Sequence, residues 1–365
     1  MNRKYKKIVI ATGGTGGHVL PAFNLAKHFF DNKINVELIC DRRGLKYLKN
    51  YKNIKVNLIP SSTIFKKNIF KSIVSLIIIF YSVIRSFLFL LFNRPEMVFG
   101  MGGYSSFPIC IAAKALNIPF IIYENNLYIG KANKYLLPYT KNIFVSCKDL
   151  EGISLKYSKK VIEIGNIIQK EIINFKDQSN SIDDQKLKIL ILGGSQAAKK
   201  FAENLPKIFD QCIKNNVNLE IFQQCLPEQN EYLISFYKNL KIKFEIFNFS
   251  NNISNYFSKI NLAITRSGSS VLAELINAKI PFISVPLPNS ADDHQLKNAI
   301  YYTKKGYSYL VKEKDLSEEL FNLLKKINRD KSLLKTIKSK QKEFSDKNVY
   351  KNIDNQMNKI LNEKN

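Results

Sequence analysis

The sequence predicts an α/β protein made of two Rossmann-like domains, each on a parallel sheet, facing each other across a cleft. Three observations carry that reading. A strand, a Gly-rich turn and a helix open the chain at Lys7–Asp31, the same unit returns at Leu187–Phe209, and strands alternate with helices after each. That alternation within one sheet requires parallel pairing through right-handed crossovers. At 365 residues the chain is long enough for two full cores, and 45% hydrophobic with 24% charged residues is ordinary globular composition.

In the opening unit, Gly13, Gly14, Gly16 and Gly17 let backbone approach a ligand, and Pro21 fits the start of a helix. Turns of this kind cradle phosphate. The dinucleotide fingerprint G-x-G-x-x-G would need glycine at position 19, which is Val19, yet Asp41 ends the next strand where a ribose-binding acid belongs. A nicotinamide enzyme therefore stays open as a second reading.

Residues 69–92 form the most apolar run in the chain, long enough to span a bilayer, with Lys66, Lys67 and Lys71 beside it. A globular strand and a second Gly-rich turn follow at once in Pro95–Pro108. An in-plane or membrane-dipping helix, a buried core helix and a true span all fit this pattern. The alternation then continues with a helix over 109–117, a strand over 118–124, a loop over 125–130, a helix over 131–137 and a strand from Asn142.

Residues 166–184 turn polar and hold the domain boundary. The expected division is 1–165 for an N-terminal acceptor and membrane-associating domain, 166–345 for a C-terminal donor domain, and 346–365 for a helix returning to brace the first. In the second domain, Ser267, Gly268 and Ser269 precede the helical apolar pattern Val271, Leu272, Leu275, Ile276. Free N–H groups and the positive end of the helix dipole would point out of that turn at an anion, most simply a diphosphate. Glu274 falls among the apolar residues, where a carboxylate needs a donor such as a sugar hydroxyl, or else faces solvent.

Five cysteines without CxxC spacing read as reduced core thiols of a cytoplasmic protein, and the opening strand leaves no room for a secretory leader. Three histidines and no Asp-x-Asp lead us to expect no metal and no cofactor. The net charge of +26 points to an anionic membrane surface or to a lysine-rich composition. Lysines are spread along the chain without a zinc-finger, RNA-recognition or helix-turn-helix pattern, so nucleic acid is not expected as a partner.

The ordered motifs Gly13–His18, Gly102–Ser106, Glu124–Asn126 with Gly130–Asn133, Gly165–Asn166, Gly193–Gln196, Arg266–Gly268, Glu274 and Asp293–Gln295 with Asn298 span nearly the whole chain. Together they resemble the UDP-N-acetylglucosamine–N-acetylmuramyl-(pentapeptide) pyrophosphoryl-undecaprenol N-acetylglucosamine transferase family, MurG. The resemblance implies a GT-B fold and a UDP-GlcNAc-dependent hexosyltransferase that moves GlcNAc, with inversion, to the muramyl 4-hydroxyl of lipid I. Lipid II and UDP would be the products, made at the cytoplasmic face of the inner membrane by a peripheral protein in peptidoglycan synthesis. UDP-GlcNAc, lipid I, the anionic membrane surface and cell-wall assembly proteins are the implied partners.

Residue by residue, the resemblance gives Glu274 the ribose hydroxyls, Ser195 and Gln196 the donor diphosphate, Arg266, Ser267 and Gly268 the nucleotide wall, and Gln295 with His294 the GlcNAc hydroxyls. Thr15, His18, Tyr104, Glu124 and Asn126 match the N-terminal cleft, with Gly13, Gly14 and Gly103 on the acceptor. Thr15, Gly16, Gly17, Asn126 and Gln169 fall within its donor-binding set. His18 is implied as general base, with acceptor binding or a structural role as its alternatives and Glu124 as the rival base. The family's HEQN stands here as Tyr123-Glu124-Asn125-Asn126, its GNPVR as Gly165-Asn166-Ile167-Ile168-Gln169 followed by Lys170, and its GGSQGA ends in Ala197-Ala198. A nucleotide-binding scaffold without turnover is the reading from another class.

Overall fold

Strand β1 (Lys7–Ala11) is buried on both faces, and so it lies inside its sheet, between β2 (Asn35–Cys40) and β4 (Met97–Gly100). The computed structural model describes residues 7–48, 53–62, 69–176, 185–248, 250 and 253–362, with the side chains of 194–198 and 361 outside that description. The chain forms two compact units, Met1–Gln169 with Asp346–Asn365, and Lys170–Ser345.

The first unit adds β3 (Lys55–Leu58), β5 (Phe120–Glu124), β6 (Asn142–Val145) and β7 (Val161–Glu163), in the order β3-β2-β1-β4-β5-β6-β7. Its pairings are parallel. The crossovers carry α1 (Gly16–Asp31), the short α2 (Arg42–Leu45), α3 (Ile69–Asn93), α4 (Ser106–Ala115) and α5 (Lys131–Leu136). Strand order reverses between β1 and β4, which opens a ligand crevice at their carboxyl ends. Helix α4 starts three residues before the apolar pattern, because Ser106 Oγ donates to the Gly103 carbonyl at 2.8 Å and Pro108 sits where no N–H is needed.

The second unit holds β8 (Leu187–Leu192), β9 (Leu219–Gln224), β10 (Lys243–Phe247), β11 (Leu262–Thr265), β12 (Phe282–Ser284) and β13 (Tyr309–Leu310). Their order is β10-β9-β8-β11-β12-β13, again parallel and again reversing, here between β8 and β11. Helices α6 (Lys170–Ile173), α7 (Gly194–Lys214), α8 (Asn230–Asn239), α9 (Ser254–Phe257), α10 (Ser269–Asn277), α11 (His294–Lys304), α12 (Leu316–Arg329) and α13 (Ser332–Gln341) cover it. Its core joins Ile189, Ile191 and Ile264 of the central strands to Phe201, Leu205 and Phe209 of α7.

The last helix, α14 (Val349–Asn362), belongs to the first unit. Asp346 accepts from Asn166 N at 2.8 Å and Nδ2 at 3.0 Å, Tyr350 donates to the Ile168 carbonyl at 2.6 Å, and His28 of α1 donates to Asp354 at 3.0 Å.

Helix α3 corrects one of the open readings, that of a buried core helix. It is the one helix among the described residues long and apolar enough to cross a membrane, and its orientation is inverted. Ser75, Ser82 and Ser86 are buried together with Leu90, while Ile69, Phe70, Ile77, Phe80 and Phe92 are all more than 60% exposed. Hydroxyls hold the helix down: Ser62 donates to Ser75 Oγ at 3.0 Å and Ser82 to the Pro60 carbonyl at 2.8 Å. Small side chains let it lie close to α4. Of the flanking lysines, Lys71 is exposed, whereas Lys66 and Lys67 lie outside the described residues.

The five cysteines are unpaired, and burial pushes the Cys40 and Cys212 thiols up to about 12, so both are inert at neutral pH.

Candidate functional site

In the first unit the three loops at the carboxyl ends of β1, β4 and β5 are built against one another. A Cβ on Gly13 would stand 1.9 Å from Ser105 Oγ, and Gly103, at φ +76°, brings its own missing Cβ within 2.7 Å of the Gly13 carbonyl. Only glycines allow the first and second turns to interlock in this way. The His18 ring lies on the second turn, since a Cβ on Gly102 would be 2.7 Å from Nδ1. Thr15 caps α1 without a side-chain hydrogen bond and is exposed, Gly14, Gly16 and Gly17 are less so, and Tyr104 is half-buried in the second turn.

Pro21 connects the third loop to the first. As the sixth residue of α1 it has no N–H to give the Gly17 carbonyl, and Asn125 Nδ2 donates to that oxygen instead, at 2.7 Å. Glu124, 1% exposed, holds the same loop in shape. One oxygen accepts from Asn126 N and Nδ2 at 3.1 and 3.0 Å, the other from Gly130 N and Asn133 Nδ2, both at 2.9 Å. Its carboxylate is enclosed by its own loop. Asn126 is likewise turned inward, and Gln169 is the last residue of the N-terminal segment of the first unit.

Asp41 overturns the nicotinamide reading. Its carboxylate accepts from Gly14 N at 3.0 Å, Gly44 N at 2.8 Å, Ser61 Oγ at 2.7 Å and Arg43 Nε and NH2 at 3.0 and 2.8 Å. Burial works against the charge, but these donors outweigh it and hold the carboxyl down to about 2. With its lone pairs taken by Gly14, Arg43, Gly44 and Ser61, Asp41 has none to offer a ribose. No sequence signal distinguishes such an acid from a ligand-binding one, because its partners come from three separate segments.

In the second unit, β8 and β11 run into the N-termini of α7 and α10, and no side chain caps either helix. Helix N-termini of this kind suit an anion. Gly268, the middle one of the three residues expected to lead into the helix, is the N-cap of α10. Ser195 and Gln196 lie in the first turn of α7, with their side chains outside the described residues. Glu274 stands in the second turn of α10, partly covered, and burial pushes its carboxyl up to about 7. Among the described residues none donates to it.

The remaining donor-side residues hold the loops. Gln295 Oε1 accepts from Ser267 N at 3.2 Å and Leu287 N at 2.9 Å, tying the end of β11 to the loop after β12, and Asn298 Nδ2 donates to the Ser267 carbonyl at 3.1 Å. The Ser267 hydroxyl is fully buried without a partner. His294 Nδ1 donates to the Ala291 carbonyl at 2.7 Å, which leaves Nε2 as the acceptor nitrogen. Arg266, placed by resemblance in the nucleotide wall, is 5% exposed with its guanidinium turned into the unit. It meets Glu313, a residue 47 positions away for which the sequence carries no signal. No group of three His, Cys, Asp or Glu disposed to hold a metal occurs among the described residues.

Two parallel sheets that each reverse beside a Gly-rich turn, one with uncapped helix ends and a desolvated carboxyl, define a GT-B protein that handles a sugar nucleotide. Residues 8–145 match the Glycosyltransferase family 28 N-terminal domain and residues 188–353 the Glycosyltransferase family 28 C-terminal domain. The chain is 35% identical over 370 residues to the UDP-N-acetylglucosamine–N-acetylmuramyl-(pentapeptide) pyrophosphoryl-undecaprenol N-acetylglucosamine transferase of Pelagibacter ubique (strain HTCC1062), covering 98% of this chain and 99% of that protein. It is 31% identical over 373 residues to the protein of that name in Francisella tularensis subsp. tularensis (strain FSC 198), covering all of both. The chain belongs to this family of transferases. The fold is also that of Acinetobacter baumannii MurG, at TM-score 0.78 and 24% identity over 97% of this chain and 99% of that one. The S. aureus MnaA-UDP co-structure follows at TM-score 0.69 and 16% identity over 98% and 97%.

Proposed function

We propose that the protein transfers GlcNAc from UDP-GlcNAc to the muramyl 4-hydroxyl of lipid I, giving lipid II and UDP with inversion at the anomeric carbon. The observation that carries this on the donor side is Glu274, a carboxyl without a partner among the described residues, one turn inside a helix with a glycine N-cap at the reversal point of its sheet. Ribose hydroxyls supply the donors it lacks, and the diphosphate lies on the N–H groups of α7 and α10. As the bond from the anomeric carbon to the diphosphate breaks, negative charge grows on the β-phosphate, where both helix dipoles stabilise it. Gln295 and His294, whose Nε2 is free to accept, belong to the GlcNAc hydroxyls, with Gln295 also fixing the loops.

On the acceptor side, His18 takes the proton from the attacking hydroxyl. Its ring stands on the interlocked turns, and imidazole titrates near neutrality. Glu124 is a positioning residue, since four donors already fill its carboxylate. Gly13, Gly14, Gly103 and Tyr104 are the acceptor contacts of the same turns.

Lipid I is a membrane substrate, and the exposed face of α3 is the means of reaching it. The helix lies in the plane of the interface, because a span would strip Ser75 and Ser82 from the unit they are bonded to. The resulting location is the cytoplasmic face of the cell membrane, with the protein bound peripherally. The test is transfer of labelled GlcNAc by the purified protein to a lipid I analogue. Labelled lipid II product with released UDP is expected, and donor binding without product would support the scaffold reading instead.

A further inference from the structure

Arg266 is a buried cation of the donor unit, and its contacts are to protein groups. NH1 donates to the carbonyls of Val285 and Pro286, both at 3.3 Å, and NH2 is paired with Glu313. The guanidinium carbon stands 4.6 Å from the ring centre of Phe201 in α7. Nε is buried with no acceptor. The residue itself is fixed at the end of β11, where its N–H donates to the Leu192 carbonyl of β8 at 3.3 Å.

These contacts converge on the segments that carry the donor site. Phe201 lies in the second turn of the helix that begins at Gly194, Arg266 directly precedes Ser267 and Gly268, and residues 285–286 lead into Leu287, which Gln295 holds from the other side. One ion pair therefore sets the spacing between the two uncapped helix ends and the loop after β12. A desolvated guanidinium is held in place only while its counter-charge is present, because an unpaired buried cation is strongly unfavourable.

We propose that Glu313 is a positioning residue of the donor site. Through Arg266 it keeps the α7 and α10 N-termini and the loop over 285–287 at the separation that a nucleoside diphosphate needs, while touching no substrate itself. This inference rests on the proposed binding of UDP-GlcNAc by the second unit.

The test uses the full-length protein with Glu313→Gln, Glu313→Asp and the double variant Arg266→Met with Glu313→Leu, each checked for folding by thermal melting. UDP Kd is measured by calorimetry, and the KM for UDP-GlcNAc and for a lipid I analogue by transfer kinetics. Glu313→Gln is expected to raise the UDP Kd and the donor KM about tenfold or more, with the acceptor KM within about twofold of wild type. Glu313→Asp, which keeps the charge at shorter reach, is expected to recover part of the loss. The double variant is expected to bind UDP better than Glu313→Gln, because an apolar pair of similar size leaves no orphaned cation. Unchanged UDP affinity in folded Glu313→Gln, or equal losses for donor and acceptor, overturns the inference. A double variant that binds worst of all overturns it too, by making Arg266 a diphosphate ligand. If Glu313→Gln does not fold, the Asp and double variants decide the matter by the same comparison. Wild-type protein that binds no UDP removes the proposed donor site, and this inference with it.

Discussion

Replacing Glu274 by Ala should weaken the donor and leave the acceptor untouched. Its carboxyl has an ordinary value of 4.5, and burial raises it to about 7, so at neutral pH it is close to half ionised. Between those values the folded protein holds a proton that the unfolded chain has lost, and stability attributable to this group falls as pH rises across that window. A donor whose ribose hydroxyls bind the carboxylate draws the proton off. Affinity for UDP-GlcNAc, whose diphosphate diester does not titrate in this range, should then rise about tenfold between pH 6 and pH 8. Glu274→Ala should flatten that profile. It also removes charge-assisted hydrogen bonds worth about 1.5–3 kcal/mol in all, for a loss of roughly 10–100-fold in the donor's specificity constant. The apo variant should melt higher than wild type above pH 7, having no desolvated charge to carry. Calorimetric titration of UDP-GlcNAc at pH 6, 7 and 8 measures both effects. A wild-type affinity that does not change with pH, or a variant with unaltered donor kinetics, would refute the assignment.

Three further outcomes can be checked directly. His18→Ala should lower turnover by roughly 10²–10⁴ with UDP affinity intact, and near-normal turnover at saturating lipid I with only a raised acceptor KM would make His18 a binding residue. The protein should sediment with anionic vesicles and be released by high salt only in part, because salt screens charge but leaves apolar burial alone; protease access to the two flanks of α3 from opposite sides of sealed vesicles would show a span. Asp41 is held down to about 2 from 3.8, so its contribution of about 2 kcal/mol is present above the unfolded value and lost as pH falls through that interval. Asp41→Asn should therefore melt lower at neutral pH and draw level with wild type near pH 2.

The two sheets were legible because parallel strands covered on both faces are written as short apolar runs, as in Ile8–Ile10 and Leu187–Leu192, and because a Gly-rich turn follows each first strand. The outward face of α3 was less so: a 24-residue apolar run has length but no evident direction. The direction lay in the serines at 75, 82 and 86, spaced seven and four apart on one side of a helix. Asp41 misled because a position at a strand end says nothing of which donors fold back onto it. Glu274 could be singled out since its helix is local and a carboxylate among apolar residues is a local anomaly. Glu313 could not, because its meeting with Arg266 is made only when β11 and β13 enter the same sheet.

Pro21 has a consequence for anyone who sets out to make this protein sturdier. A proline inside a sixteen-residue helix is the first position a stabilisation campaign would replace, and Pro21→Ala would improve α1 when considered alone. The new N–H would aim at the Gly17 carbonyl, the oxygen that Asn125 now uses, and would compete with it for that acceptor. The hardier helix would release the loop behind Glu124, trading catalytic competence for heat resistance. A gain in melting temperature at this position is thus a warning, and selection for stability alone would choose against the proline that the working enzyme keeps.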